Sequence, residues 1–396
     1  MKVVEPFVPQ PQADALAIEC IEQTTAFRAL RDEWAALHAA CPSRTPFNSW
    51  EWLFSWWQAY GYGKRLRLLI CRFGGELVAV APLYVATEKT DVGTSVRVLR
   101  MLGDGSADSD YLGFLLRPGL SVPLMGEICD WVATDECWDA AAVRELPENS
   151  LLPDQLCRAA ERHRLLSRMD HGRCGAVDLP NTFDEFLKAR QPRFRTKLRS
   201  LLKTLEQGGL AFETAVAPNQ LRRRLRSLYA LHQSRWQTAG ATGVFSQKAK
   251  RLFYAHFVPR FARRGWLRFY SLRKGDTYLA HQLCFGAEGV TYLLQEGFDA
   301  SSASASYGQM LRAAVIRHLI ENGETRYDFL GGFSRHKQDW GAAEAKTIHL
   351  TMARPRWRGW LYFTLPLWRE ASTQAAKRLL PSTAIRTLKR IRTALS

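Results

Sequence analysis

The sequence predicts an α/β protein of two domains, mixed central sheets flanked by helices, followed by a basic helical tail. Three observations predict it. The chain has 396 residues of which 46% are hydrophobic, more than one core of ~100–200 residues needs. Short segments rich in β-branched and aromatic residues alternate with helical patterns in both halves. A strongly basic stretch separates those halves, and a second one closes the chain. The expected bounds are residues 1–185, 186–354 and 355–396.

In the first half, Thr25 to Leu37 and Ser49 to Tyr60 read as helices. Ser49 is placed to cap the second, which carries Trp52, Trp56 and Trp57. Together with Trp50 and Phe47 these aromatics have the spacing of a core-facing side. Four strand-like runs follow between residues 66 and 116: LRLLICRF, ELVAVAPLYVA, VRVLRML and YLGFLL. The segment GDGSADSDYLG groups Asp104, Asp108 and Asp110, but no Glu closes a calcium loop, so it reads as a polar loop facing an acceptor cleft.

The second half opens on RFRTKLRSLLKTLEQGG. Phe194, Leu198, Leu201, Leu202 and Leu205 form one helical face, Arg193, Arg195, Lys197, Arg199 and Lys203 point elsewhere, and Gly208 and Gly209 stop the helix. A second basic helix, LRRRLRSLYALHQSRW, comes next. Three strands (LRFYSLRK, TYLAHQLCF, VTYLLQEGF), a helix from about Gly308 to Ile320, and the strands TRYDFLGG and KTIHLTMA complete the domain. Arg72, Gly74 and Ala79 share their spacing with Arg273, Gly275 and Ala280, a hint of duplication. In the tail, Ser382 is placed to cap a helix with Ile385, Leu388, Ile391 and Leu395 on one face and Arg386, Lys389, Arg390 and Arg392 opposite.

The net charge of +17 is concentrated. Residues 186–236 hold twelve Lys/Arg against Glu206 and Glu213, and residues 354–396 hold ten against Glu370 alone. Fields of that kind suit an anionic partner. Eight scattered cysteines, with no CxxC pair and no export signal, predict free thiols and no metal site. With no signal segment and no transmembrane run, a cytoplasmic location is expected, peripheral to a membrane if residues 355–396 dock on anionic lipid.

Dinucleotide, P-loop, zincin and hydrolase motifs are all absent. What carries chemistry is YLLQEGFDASSASASYGQMLRAAVIRHLIENGETRYDFLGGFSRHKQDWG: strand, small-residue loop, helix, strand, polar loop. The helix start at Ser306, Tyr307, Gly308 and Gln309 presents backbone N–H groups and a positive dipole end suited to a diphosphate. Equally, Ser304 or Ser306 caps a packing helix. Strand ends in α/β sheets are where side chains able to act as a base converge. Asp328 is the first candidate, with Glu296 and Asp299 as rivals. His336 and His281 are titratable near neutrality but are of a kind more often structural.

From about Lys188 onward the chain resembles the FemAB-like branch of the GNAT acyltransferases, including the CelD-like enzymes of polysaccharide biosynthesis. The resemblance lies in the basic helix ending in Gly, LHQSRW, LAHQLCFG, YLLQEGFD, the pair Ser306 and Gly308, and YDFLGG with HKQDWG. It implies a tandem GNAT-like fold, acyl-CoA as donor substrate bound at Ser306, Tyr307, Gly308 and Gln309, and a functional Lys337 in the polar loop. Trp340 is expected to pack that loop. The family commonly has Pro where this chain has Tyr307, which leaves Tyr307 either as proton donor to the leaving thiolate or as packing. The implied acceptor is an amine or hydroxyl of a sugar, sugar nucleotide or lipid-linked envelope glycan. Two alternatives stand beside it: an aminoacyl-tRNA donor tracked by the basic helices, and a non-enzymatic scaffold at a membrane surface.

Overall fold

Local chemistry accounts for the elements one at a time. The computed structural model describes residues 16–214, 217–238, 240, 243–301 and 306–379. The first half comprises β1 (Ala17–Ile21), α1 (Thr24–Ala29), α2 (Arg31–Ala40), α3 (Trp50–Tyr60), β2 (Arg65–Phe73), β3 (Glu76–Lys89), β4 (Ser95–Met101), β5 (Leu115–Leu116), α4 (Ser121–Thr134), β6 (Ala140–Pro147), α5 (Leu152–Arg162) and β7 (Leu166–Asp178). The second comprises α6 (Phe183–Lys188), α7 (Pro192–Gln207), β8 (Leu210–Glu213), α8 (Leu221–Thr238), α9 (Lys248–Arg263), β9 (Leu267–Lys274), β10 (Thr277–Ala287), β11 (Val290–Phe298), α10 (Tyr307–Glu321), β12 (Arg326–Gly331), α11 (Arg335–Asp339), β13 (Ala343–Ala353) and α12 (Trp357–Leu379).

Ser49 caps α3 as expected, its Oγ accepting from the Trp52 N–H at 3.3 Å. Two expectations need correction. The helix read over Thr25 to Leu37 is two helices, split at Leu30. The run YLGFLL is mostly irregular, because its backbone lies over the cleft and only Leu115 and Leu116 reach β3. The tail helix expected from Ser382 onward lies outside the described residues.

The two sheets anticipated are joined into one. Its strands run in the order β1-β2-β3-β4-β6-β13-β7-β12-β11-β10-β9-β8, with β5 beside β3. Read from either end the order has the same logic: four antiparallel strands, then a parallel neighbour reached through a helix, β4 to β6 by α4 and β11 to β12 by α10. The final strand of each half crosses over, so β13 lies against β6 and β7 against β12, with β7 and β13 paired in the middle.

The hairpin spacing noted above extends to the register. Cys71 faces Ala79 while Arg72 faces Leu77, leaving Val78 as an extra residue; Leu272 faces Ala280 while Arg273 faces Tyr278, leaving Leu279. Such a bulge re-aims the strand at one fixed place. Each arginine donates to a turn carbonyl, Arg72 to Gly75 at 2.9 Å and Arg273 to Gly275 at 2.5 Å.

One face of the sheet is covered by a core shared between the halves, in which Trp52 of α3 packs against Phe253, Phe257 and Phe261 of α9. Trp50, Trp52, Trp56 and Trp57 are all buried there, so the cluster is structural, and none of the four lines the cleft between the halves. On the other face α10 and α7 bury Met310, Leu311, Val315, Leu198 and Leu202 against Tyr270, Leu293, Tyr327 and Phe329.

Candidate active site

Parallel pairing between β11 and β12 stops after three residues, with Val290, Thr291 and Tyr292 opposite Arg326, Tyr327 and Asp328. Beyond them β11 stays with β10 while β12 turns toward β7. Side chains alternate along β12, so Tyr327 and Phe329 face α10 and Asp328 faces the opposite side. There a cleft of about 1050 Å³ runs between the halves, lined among others by Arg44, Tyr111, Tyr292, Arg326, Asp328 and Lys346.

Asp328 is buried and fully engaged. Its Oδ1 accepts from the Leu330 N–H at 2.7 Å and its Oδ2 from the Tyr111 hydroxyl at 2.9 Å. Burial pushes the carboxyl above its ordinary range, against the lowering effect of those two donors. Asp110 stands beside it and accepts from the Gly331 N–H at 3.1 Å. Burial, with Glu145 and Asp328 nearby, raises Asp110 to about 7. Two buried carboxyls that resist ionising together form a proton store able to take one proton near neutrality.

Lys337 lies on α11, its ammonium donating to the carbonyls of Phe329, Leu330, Gly331 and Gly332 at 3.0, 2.9, 2.7 and 2.6 Å. These carbonyls converge because Leu330 and Gly332 have φ of 59° and 75°, which curls the end of β12. Burial lowers the lysine's pKa, while Asp110 and Asp328 hold it up. Lys337 therefore shapes the turn that presents Asp328.

The start of α10 lies on the other face. Ser306 takes the left-handed conformation, φ 49° and ψ 41°, and its side chain makes no capping bond; Ser304, the other expected cap, lies outside the described residues. Among the described residues no partner accepts from the opening N–H groups of Tyr307, Gly308 and Gln309. At Gly308 a Cβ would lie 2.6 Å from Cδ1 of Phe298, so only glycine lets the helix start approach this closely. The Arg235 guanidinium sits 4.8 Å from the Phe298 ring centroid and adds positive charge beside it. Gln309 Oε1 is buried without a hydrogen-bond partner. Tyr307 packs its ring on the core beneath α10. The structure thus brings Asp328 and Lys337 together, whereas none of Ser306 to Gln309 lines the cleft.

Residues 192–338 match the family model described as "Acetyltransferase (GNAT) domain". The structure is similar to that of FemX, with a TM-score of 0.56 and 11% identity, covering 81% of this chain and 95% of that one. The fold is that of a FemAB-like GNAT acyltransferase. A conserved protein of unknown function from Bacteroides thetaiotaomicron has a TM-score of 0.51 and 13% identity, covering 85% of this chain and 100% of that one. L-PGS from Bacillus licheniformis has a TM-score of 0.50 and 12% identity, covering 88% and 96%. No curated protein sequence matches the chain.

Within the GNAT domain the remaining candidates have structural partners. Glu296 forms an ion pair with Arg312 and lies 3.7 Å from Arg235. Burial opposes its ionisation, but the two arginines together hold its pKa low. His336 bonds to Arg312, and burial with that guanidinium lowers its pKa. His281 is clamped between Ser271 and Ser227 at 2.9 and 3.0 Å, its pKa driven by burial to about 3. Asp299 accepts from the Ser301 N–H at 2.9 Å. Trp340 is fully buried, its ring 5.2 Å from Phe194 and 5.3 Å from the Arg312 guanidinium.

The acidic loop of the first half is dispersed among partners. Asp104 bonds to Arg100 at 2.6 Å, and Asp108 pairs with Lys250 at 2.7 Å and accepts from Tyr254 at 2.8 Å. Only Asp110 and Tyr111 reach Asp328. Tyr111 was not singled out by sequence reasoning, and nothing in its neighbourhood marks it; the sequence separation of 217 from Asp328 is closed only by the fold.

Proposed function

We propose that this GNAT-type acyltransferase moves an acyl group from acyl-CoA to an amine or hydroxyl of a sugar, sugar nucleotide or lipid-linked glycan precursor. The supporting observation is the separation of β11 from β12 just past Tyr292 and Asp328, with the helix start of α10 on one face and a carboxylate cluster on the other. In this reading the backbone N–H groups of Tyr307, Gly308 and Gln309 hold the donor's diphosphate, assisted by Arg235. The acyl arm passes between the parted strands, and the acceptor occupies the cleft. Asp328 takes the proton from the acceptor's nucleophilic nitrogen or oxygen as the new bond forms. Burial keeps its proton affinity high enough for that task, against the lowering effect of the Tyr111 hydroxyl. The thiolate of CoA departs as the tetrahedral intermediate collapses, and Tyr307 is the group assigned to protonate it.

Arg44, Arg326 and Lys346 at the cleft wall favour an acceptor bearing phosphate. The exposed basic face of α7 supports a second reading, in which the donor is an aminoacyl-tRNA. Calorimetry with acetyl-CoA, longer acyl-CoAs and charged tRNA separates them. Binding of an acyl-CoA at micromolar concentration is expected, and transfer by Asp328→Asn should fall about 100-fold or more in kcat with donor affinity unchanged. Absence of binding to every acyl-CoA would overturn the reading.

A further inference from the structure

Helix α12 has two apolar sides. Its inner side places Tyr362 and Phe363 against Val96, Val98, Ala140 and Ala353. It is seated hard: a Cβ on Gly359 would lie 2.4 Å from the Arg354 carbonyl oxygen and 2.5 Å from that of Asp139. The outer side has no cover among the described residues. Trp357, Trp360 and Trp368 are 64%, 47% and 62% exposed, and Leu367 is 37% exposed. Steps of three and eight residues put the three tryptophans along one face of the helix. The Trp360 and Trp368 rings meet edge to face at 6.0 Å.

Charge surrounds this stripe. The Arg358 guanidinium lies 5.0 Å from the Trp357 ring centroid. Arg356 and Arg369 flank the stripe and pair with the exposed carboxylates of Glu136 and Asp91. From residue 355 to 396 the sequence has nine Lys/Arg against Glu370 alone. No helix among the described residues is long and apolar enough to cross a membrane.

We propose that α12 docks the protein on the surface of an anionic phospholipid bilayer, with Trp357, Trp360 and Trp368 seated at headgroup depth. Indole rings favour that zone because one edge is apolar and the other carries an N–H. Neighbouring arginines attract the anionic lipid over about one Debye length. A second copy of the chain fits less well, since it would oppose nine cations with nine. The proposal does not depend on the transfer chemistry.

The test is co-sedimentation of the full chain with vesicles of phosphatidylglycerol and phosphatidylcholine in equal parts, and with phosphatidylcholine alone. Binding to the anionic vesicles is expected, weakened by salt, with about tenfold or greater loss in the triple variant Trp357→Ser, Trp360→Ser, Trp368→Ser. Should that variant fail to fold, brominated phosphatidylglycerol is added to the wild-type chain, where quenching of tryptophan fluorescence is expected. Failure to bind anionic vesicles, equal binding to both vesicle types, full binding by a folded triple variant, or no quenching would each overturn the proposal. So would a dimer abolished by the triple variant in a chain that ignores vesicles.

Discussion

Asp110→Asn tests the carboxylate cluster most directly. Asp110 rises from 3.8 to about 7 on folding, chiefly through burial. The folded chain therefore binds this proton more tightly than the unfolded chain. The resulting stabilisation is full below pH 3.8 and is lost as pH rises through about 7. At 1.36 kcal/mol for each pKa unit, ionising Asp110 at pH 8 costs the fold about 4 kcal/mol. Asn keeps an oxygen for the Gly331 N–H but has no charge to bury. Urea unfolding of both proteins at several pH values between 4 and 8 isolates the effect as a difference curve. The variant should gain roughly 2–4 kcal/mol over wild type on going from pH 4 to pH 8. A flat difference curve would refute the burial argument, as would a variant less stable than wild type at pH 8.

Two further substitutions probe the donor side. Glu296→Ala takes from the buried guanidinium of Arg312 the carboxylate that pairs with it and should cost about 3–5 kcal/mol in urea unfolding; a loss under about 1 kcal/mol contradicts the pairing. Gly308→Ala drives a methyl into Phe298, which should cost about 1–3 kcal/mol and displace the helix start. Calorimetry should then show acyl-CoA affinity reduced about tenfold, and an unaltered affinity would move the donor site elsewhere.

Elements with a local signal were legible in the sequence. Ser49 before a tryptophan-rich run, the leucine spacing of α7 closed by Gly208, and the glycine hairpins each carry their own instruction. The helix start at Ser306 to Gln309 was legible too, since small residues before an apolar helix are a backbone signal. Partners remote in sequence were not. Asp328 stood out by its place at a strand end, but its ties to Asp110 and Tyr111 depend on a loop of the first half folding across the second. Lys337 was legible as a functional charge of the polar loop, but its four carbonyl partners were not, because their convergence depends on the left-handed backbone at Leu330. Helix α9 gave no clean signal because Pro259 interrupts a run whose aromatic residues are needed by a helix of the other half.

The exchange of final strands also governs how the polypeptide matures. As it leaves the ribosome, the first half cannot close its sheet, because the neighbour of β6 is β13, residues 343–353, the last strand of the sheet to be made. Until then the edge of β6 presents unpaired backbone groups, a template for wrong pairing. Nascent chains halted before residue 343 should therefore aggregate or engage chaperones, and the protein should gain its native stability in one late step.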